Sequence, residues 1–193
     1  MELSPICKKE YPALRALYHS AFPAAERMPL SRFFALQKKG QAEILVLRTG
    51  GAFAGLMIVT FAPGYALLNY FAVEPDCRSM GLGSRALPAL QQRYPNRQVV
   101  LEVEPPDHTA PNARQRQRRL DFYAKNGFLP CNLPVRLCGV HWMCSPLAGR
   151  HWILPPIKGF ITRSLAVWRP FLCKSANKTP PGQILLVFWP GVV

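Results

Sequence analysis

Leu68-Asn-Tyr-Phe-Ala-Val-Glu-Pro-Asp-Cys-Arg-Ser-Met-Gly-Leu-Gly-Ser-Arg-Ala-Leu87 carries most of the information in this chain. An apolar strand passes through a tight turn at Pro75 into Arg78-x-x-Gly81-x-Gly83, and a helix begins at once. Glycines let a backbone approach an anion without side-chain obstruction. The free N–H groups and the positive dipole end of a helix start then favour negative charge. Arg78 and Arg85 add charge of the right sign. Chemically, Arg78, Ser79, Met80, Gly81, Leu82, Gly83 and Ser84 form a pyrophosphate cradle. It is not a P-loop, because no Lys-Ser/Thr follows the second glycine. It is not a dinucleotide fingerprint either, since Ala86 occupies the place of the third glycine. Taken alone, the same pattern also describes a strand-to-helix turn with no ligand.

The flanking sequence supplies the context. Tyr11–Ser20 has helical apolar spacing with Pro12 in its first turn, and Leu30–Lys39 reads as a second short helix stopped by Gly40. Glu43–Arg48 and Ala52–Phe61 are strand-like and separated by Thr49-Gly50-Gly51, a hairpin signal. Tyr65–Val73 continues an antiparallel meander. Gly81–Tyr94 reads as a helix that Pro88 should kink or shorten. A strand at Gln98–Val103 and a strongly basic helix at Ala113–Asn126 follow, with Gly127 suited to its cap. Phe128–Cys131 and Arg136–Cys144 read as the last strands. Strand, helix, strand, helix in this order predicts a mixed α/β sheet covered by helices.

Arg118-Arg-Leu-Asp-Phe-Tyr-Ala-Lys-Asn-Gly-Phe128 lies beyond the strand that follows the cradle. Together, Arg-x-x-Gly-x-Gly and Phe-Tyr-x-x-x-Gly-Phe resemble the GNAT acyltransferase superfamily, over roughly residues 2–145. The resemblance implies a mostly antiparallel central sheet with splayed middle strands and helices on both faces. It also implies acetyl-CoA as co-substrate, held by the cradle and by backbone near Phe71, Ala72 and Val73. The acceptor is then a primary amine, on a small molecule or a peptide, attacking the thioester directly in a ternary complex. In this family the tyrosine of the second motif, here Tyr123, sits near the thioester sulfur. Many members carry Asn seven residues before it, where this chain has Arg116. Glycine is frequent at the position of Ser79.

Acyl transfer to an amine needs a proton acceptor, a proton donor and support for the carbonyl oxygen. Glu102 and Glu104 fall on one face of a strand, and crowding by a like charge raises a carboxyl pKa, which suits a base. Pairing with the surrounding arginines is the structural alternative. Glu26 is a third candidate base, since the resemblance implies that the acceptor contacts the loop between the first two helices; with Arg27 it is also a candidate for the acceptor side, and a helix-end or surface charge is the alternative. Tyr123 is the candidate acid, or else a packed helix tyrosine whose hydroxyl bonds the cofactor. Arg114, Arg116, Arg118 and Arg119 either meet CoA phosphates or form a solvated basic face.

Composition bounds the rest. The 193 residues are 49% hydrophobic and 18% charged, enough for a folded core. No apolar run approaches the roughly 18 residues that span a bilayer, and the N-terminal stretch lacks a hydrophobic signal core, so a cytoplasmic location without membrane contact is expected. Net charge is +14, with residues 1–121 carrying +6 and the acid-free residues 122–193 carrying +8. That field favours anionic partners. A non-catalytic acyl-CoA-binding module and a basic nucleic-acid binder are therefore the competing classes, the latter without a recognisable motif. Of the six cysteines, only Cys138-x-x-His141-x-x-Cys144 resembles a metal spacing. A strand would point His141 away from both thiols, so no metal is expected. Residues 1–149 form the expected catalytic domain. Residues 150–193, with 3 of the 4 Trp and 6 of the 20 Pro, form an extension without legible chemistry: an extra lobe, a docking or swapping arm, or a poorly ordered tail, with a homodimer among the expected partners.

Overall fold

The computed structural model describes residues 1–24, 27–103, 106–130 and 141–144. Among the described residues seven strands form one sheet: β1 Glu2–Pro5, β2 Ala42–Thr49, β3 Ala52–Ala62, β4 Tyr65–Val73, β5 Gln98–Val103, β6 Leu129–Pro130 and β7 His141–Cys144. Their order across the sheet is β1-β2-β3-β4-β5-β7-β6. Every neighbouring pair is antiparallel except β4 and β5. The helices are α1 Tyr11–Ala21, α2 Leu30–Lys38, α3 Leu82–Arg93 and α4 Ala113–Lys125. The mixed, mostly antiparallel sheet between helices is the architecture that the sequence predicts.

Strand alternation divides the apolar residues into two cores. Ile44, Val46, Leu56, Ile58, Tyr70 and Ala72 pack with Leu14, Leu17 and Phe33 of α1 and α2. Leu45, Leu47, Met57, Leu68, Phe71 and Leu101 pack with Leu87, Leu90 and Tyr123 of α3 and α4. Fully burying one such side chain contributes roughly 1.5–3 kcal/mol, so each helix is held chiefly by its apolar stripe. This explains why α3 is not shortened at Pro88, which sits inside the helix. The proline forgoes one backbone hydrogen bond, and the buried Leu87 and Leu90 on either side keep the helix on the sheet.

The sheet also has a strand that the sequence pattern does not announce. Four-residue β1 pairs with β2 from Glu2↔Arg48 to Pro5↔Leu45. Its hold is polar. Glu10 takes both Nε and Nη2 of Arg48 at 2.7 Å and accepts from the backbone N–H and the thiol of Cys7 at 3.0 and 2.9 Å. The Arg48 guanidinium holds the Glu10 carboxyl down at about 2.

One residue opens the sheet. Between β3 and β4 the register runs Ile58↔Tyr70 and then Val59↔Leu68, which leaves Asn69 as an extra residue. Its side-chain amide donates to Thr60 Oγ1 at 2.8 Å and to the Leu67 carbonyl at 2.9 Å. Such a β-bulge bends its strand and shifts the alternation by one. Accordingly Ala66 and Leu68 before it, and Phe71 and Val73 after it, face the same core. The parallel pairing of β4 with β5 covers Tyr65↔Gln98 to Leu68↔Leu101 and stops where the bulge begins. Beyond Asn69 the two middle strands are splayed.

Candidate active site

Past the bulge, β4 has one satisfied edge and one open edge. The Glu74 N–H donates to the Ala54 carbonyl of β3 at 2.9 Å. Because strand amides alternate in direction, Ala72 also points its N–H toward β3. Phe71 and Val73 therefore point theirs the other way, toward the gap left by β5. The Val73 carbonyl on that edge is met by Nε of Arg78 at 3.2 Å. Arg78 thus ties the loop after β4 to the open edge of the strand.

The loop itself is shaped by two left-handed residues. Ser79 has φ 61 and Gly81 has φ 69. This accounts for the absence of strain at glycine and its presence at Ser79, where a left-handed conformation costs an ordinary residue roughly 1–2 kcal/mol. Gly81 caps α3 without a side-chain hydrogen bond, and the first intrahelical bond runs from Arg85 N to Gly81 O at 3.2 Å. The N–H groups of Leu82, Gly83 and Ser84 consequently have no acceptor within the helix. They open into a cavity of ≈ 210 Å³. Its walls come from Phe71 and Val73 of β4, from Arg78, Ser79, Gly81, Leu82, Gly83 and Ser84, and from Cys77 and Phe122. Unpaired N–H groups, a helix N-terminus and a guanidinium converge there on one small space, which selects an anion. Glu74, half-buried beside this loop, has its carboxyl pushed up by burial and then by Asp76, against the pull of Arg78.

The matching family model is Acetyltransferase (GNAT) family, over residues 11–128. The chain belongs to the GNAT acetyltransferase family. The solved structures it resembles share the fold at low identity. A GNAT-family protein from Bacteroides thetaiotaomicron aligns with TM-score 0.71 and 19% identity over 87% of this chain and 98% of its own. An aminoglycoside 6'-N-acetyltransferase, solved with coenzyme A, aligns with TM-score 0.60 and 15% identity over 79% of this chain and 100% of its own. A ribosomal-protein-alanine N-acetyltransferase from Brucella melitensis aligns with TM-score 0.53 and 17% identity over 75% and 99%. Comparison with curated proteins gives no match. Family membership makes acetyl-CoA-dependent acyl transfer the chemistry in view, and the acceptor is a separate question.

Within this GNAT frame the expected site residues separate into groups. Phe71, Val73, Arg78, Ser79, Gly81, Leu82, Gly83 and Ser84 meet at the cavity. Ala72 is fully buried on the α1–α2 side, and Met80 is 58% exposed. Neither lines the cavity. Arg116 does not line it either: its Nε donates to Asn112 Oδ1 at 2.7 Å within the start of α4. Glu102 lies in β5 in register with Trp142, and nothing of its side chain is described. Glu104 and Glu26 lie outside the described residues, as do residues 145–193 and the side chains of His141 and Cys144. Among the described residues no cluster of His, Cys, Asp or Glu could hold a metal, and no helix is long and apolar enough to cross a membrane.

Tyr123 stands behind the cavity rather than on its wall. It is 7% exposed, with its ring edge-on to Phe122 at 5.3 Å and to Phe128 at 5.9 Å. Burial pushes its hydroxyl well above the ordinary tyrosine range, against a smaller pull from Arg119. The hydroxyl donates no hydrogen bond to another described residue. Phe122, by contrast, lines the cavity although the sequence does not mark it. A Cβ on Gly83 would lie 3.0 Å from its ring, so Gly83 is small because α4 presses an aromatic ring against the start of α3. The signal was present in the Phe-Tyr pair, whose two rings cannot both face the sheet from adjacent helix positions.

Proposed function

We propose that this GNAT protein is an N-acetyltransferase that moves an acetyl group from acetyl-CoA to a primary amine by direct attack in a ternary complex. The observation that carries this reading is the pairing of an open β4 edge with an anion cradle directly after it. Acetyl-CoA supplies an activated thioester carbonyl and, further along, a pyrophosphate. The N–H groups of Leu82, Gly83 and Ser84, with Arg78, suit the pyrophosphate. The Phe71 and Val73 N–H groups suit carbonyl oxygens laid along the strand, and fixed donors of this kind stabilise charge without reorganising.

The amine must lose a proton and the departing thiolate must gain or tolerate one. Glu102 and Glu104 remain the candidates to take the amine's proton. Tyr123 is the candidate to give one up to sulfur, because its hydroxyl donates to no described residue; burial makes it a weaker acid than a free tyrosine. Positioning both reactants in the gap makes the attack effectively unimolecular. The location in keeping with this chemistry is the cytoplasm.

The test is thermal stabilisation by acetyl-CoA, CoA and ATP, followed by an acceptor screen that reads thiol release. Acetyl-CoA and CoA should raise the melting temperature while ATP at equal concentration does so far less. Equal stabilisation by ATP, or none by acetyl-CoA, would remove the assignment of the cradle to CoA.

A further inference from the structure

β3 carries a second irregularity, directly opposite the open half of β4. Its register with β2 runs Leu47↔Gly55 and then Arg48↔Phe53, which leaves Ala54 as an extra residue. A bulge of this kind strengthens the local twist and re-aims what lies beside it. Ala54 is fully buried, and its carbonyl accepts from the Glu74 N–H at 2.9 Å. The bulge therefore sits beside the end of β4, where the cradle loop begins.

Gly55 follows the bulge and is in register with Val73. It does not take the left-handed backbone of the turn glycines, so conformation does not require a glycine here. Space does. A Cβ on Gly55 would lie 2.5 Å from the Ala72 carbonyl oxygen and 3.2 Å from the Val73 Cα. Both neighbours are backbone atoms, so neither can rotate away as a side chain would. A glycine inside a strand marks such a close approach of a second backbone.

The oxygen that Gly55 accommodates belongs to the peptide unit joining Ala72 to Val73. In a planar trans peptide the carbonyl and the N–H point in opposite directions. The Ala72 carbonyl is turned toward β3, where Leu56 is in register with Ala72. The Val73 N–H of the same plane is therefore turned toward the gap left by β5. Moving the carbonyl away from a new Cβ would tilt the plane and swing that N–H with it. The bond from Arg78 Nε to the Val73 carbonyl at 3.2 Å belongs to the next peptide plane and does not hold this one.

We propose that Gly55 is a positioning residue: by admitting the Ala72 carbonyl against β3, it aims the Val73 N–H at a carbonyl oxygen in the thioester arm of acetyl-CoA. The identity of the ligand rests on the acyltransferase reading above; the coupling of Gly55 to the Val73 amide does not. The cradle stands apart from this contact, because its N–H groups come from the start of α3. Gly55 thus governs the arm of the ligand and not its pyrophosphate.

The experiment uses the full chain and two ligands: acetyl-CoA, and its nucleotide half alone, the ribose-phosphorylated ADP that carries the pyrophosphate and lacks the thioester arm. Calorimetry gives both affinities for wild type, Gly55→Ala, Val73→Pro and the double variant, with circular dichroism to confirm folding. Proline at position 73 removes the same N–H outright and breaks no ladder bond, because that N–H faces the gap. Gly55→Ala should weaken acetyl-CoA roughly 3–10-fold, the range of one net hydrogen bond, and leave the nucleotide half within about twofold. By NMR, the Val73 amide proton should shift downfield when acetyl-CoA binds wild type, and by much less in Gly55→Ala. The double variant should bind acetyl-CoA no more weakly than Val73→Pro, since both changes remove one interaction. Losses that multiply, equal weakening of both ligands, or full acetyl-CoA affinity in Gly55→Ala would overturn the proposal. So would a Gly55→Ala chain that does not fold, which would make Gly55 a support of the sheet. If Val73→Pro alone does not fold, the ligand comparison and the amide shift in Gly55→Ala decide. Wild type that binds neither ligand would overturn the acyltransferase reading and this proposal together. Wild type that binds both with an unmoved Val73 amide would overturn this proposal alone.

Discussion

The two halves of β4 have similar compositions and opposite uses. From Tyr65 to Leu68 the strand is paired on both sides, with β3 and with β5. From Tyr70 to Val73 it keeps β3 and loses β5. Apolar burial hardly differs: Leu67, Leu68, Phe71 and Ala72 are all nearly inaccessible. What differs is the fate of backbone hydrogen-bonding groups, which burial without partners makes costly. The first half spends them on the sheet. The second half keeps the Phe71 and Val73 amides open beside an anion cradle. A cleft can thus be made by withdrawing a strand partner, with no change in side-chain character.

The largest expected effect comes from filling the cradle. Gly83→Glu places a negative group where the helix N–H groups converge and should weaken acetyl-CoA by more than about 100-fold, since it removes and opposes several charge-assisted contacts. Gly83→Ala sharpens the result: it only presses on the Phe122 ring, 3.0 Å from the added carbon, and should cost far less affinity. Calorimetric titration of both variants, with circular dichroism to confirm folding, checks this. Equal losses in the two would mean that Phe122 packing, not anion exclusion, governs the site.

Tyr123→Phe tests chemistry apart from binding. The ring that packs on Phe122 and Phe128 is kept and only the hydroxyl is lost. General acids contribute about 10²–10⁴-fold, and a thiolate leaves readily, so a roughly 10–100-fold loss in single-turnover rate is expected with acetyl-CoA affinity little changed. A wild-type rate would leave Tyr123 as packing.

Glu10→Gln strikes the far end of the sheet and should sharpen the contrast by leaving the cleft alone. The folded Glu10 carboxyl sits at about 2, below its ordinary 4.5. Its contribution is therefore full above pH 4.5 and is lost as pH falls toward 2. We expect about 2 kcal/mol of destabilisation near neutral pH, less than the full shift implies because the Gln amide oxygen still accepts some of the same hydrogen bonds. Urea melts at several pH values should show the variant and wild type converging in acid, with acetyl-CoA affinity unchanged throughout.

The smallest effect belongs to the bulge. Asn69→Ala removes the bonds to Thr60 and Leu67 and should cost about 1–2 kcal/mol, measurable as a lower melting temperature. A few-fold slower acyl transfer should accompany it, because the second half of β4 is then less firmly aimed.

The comparison also marks how far the sequence could be read. The cradle was legible because its signal is local: glycines, a basic residue and a helix start within seven positions. The helices and the meander were legible through apolar period, and the Gly50 and Gly51 turn takes the positive φ values that a tight hairpin needs. The β1 strand was not, since four residues ending in Ser4-Pro5 show no alternation and their pairing with Arg48 is remote in sequence. The splay of the middle strands was implied by the family resemblance but not by the residues themselves. Asn69 looks like one polar residue in an apolar run, and only the register against β3 shows it to be supernumerary. In the α1–α2 linker the sequence marks Glu26 and Arg27 but not the contact that Arg27 makes with His19 of α1. Pro88 misled in the opposite sense, since local preference yields to the two buried leucines beside it.

Amide hydrogen exchange along β4, followed by NMR with and without acetyl-CoA, tests the central claim most directly. Tyr70 and Ala72 should be protected in both states through their bonds to β3. Phe71 and Val73 should exchange much faster in the free protein and slow on saturation with acetyl-CoA. Phe71 and Val73 amides already as protected as Ala72 without ligand, or unchanged when acetyl-CoA is bound, would contradict the open-edge account.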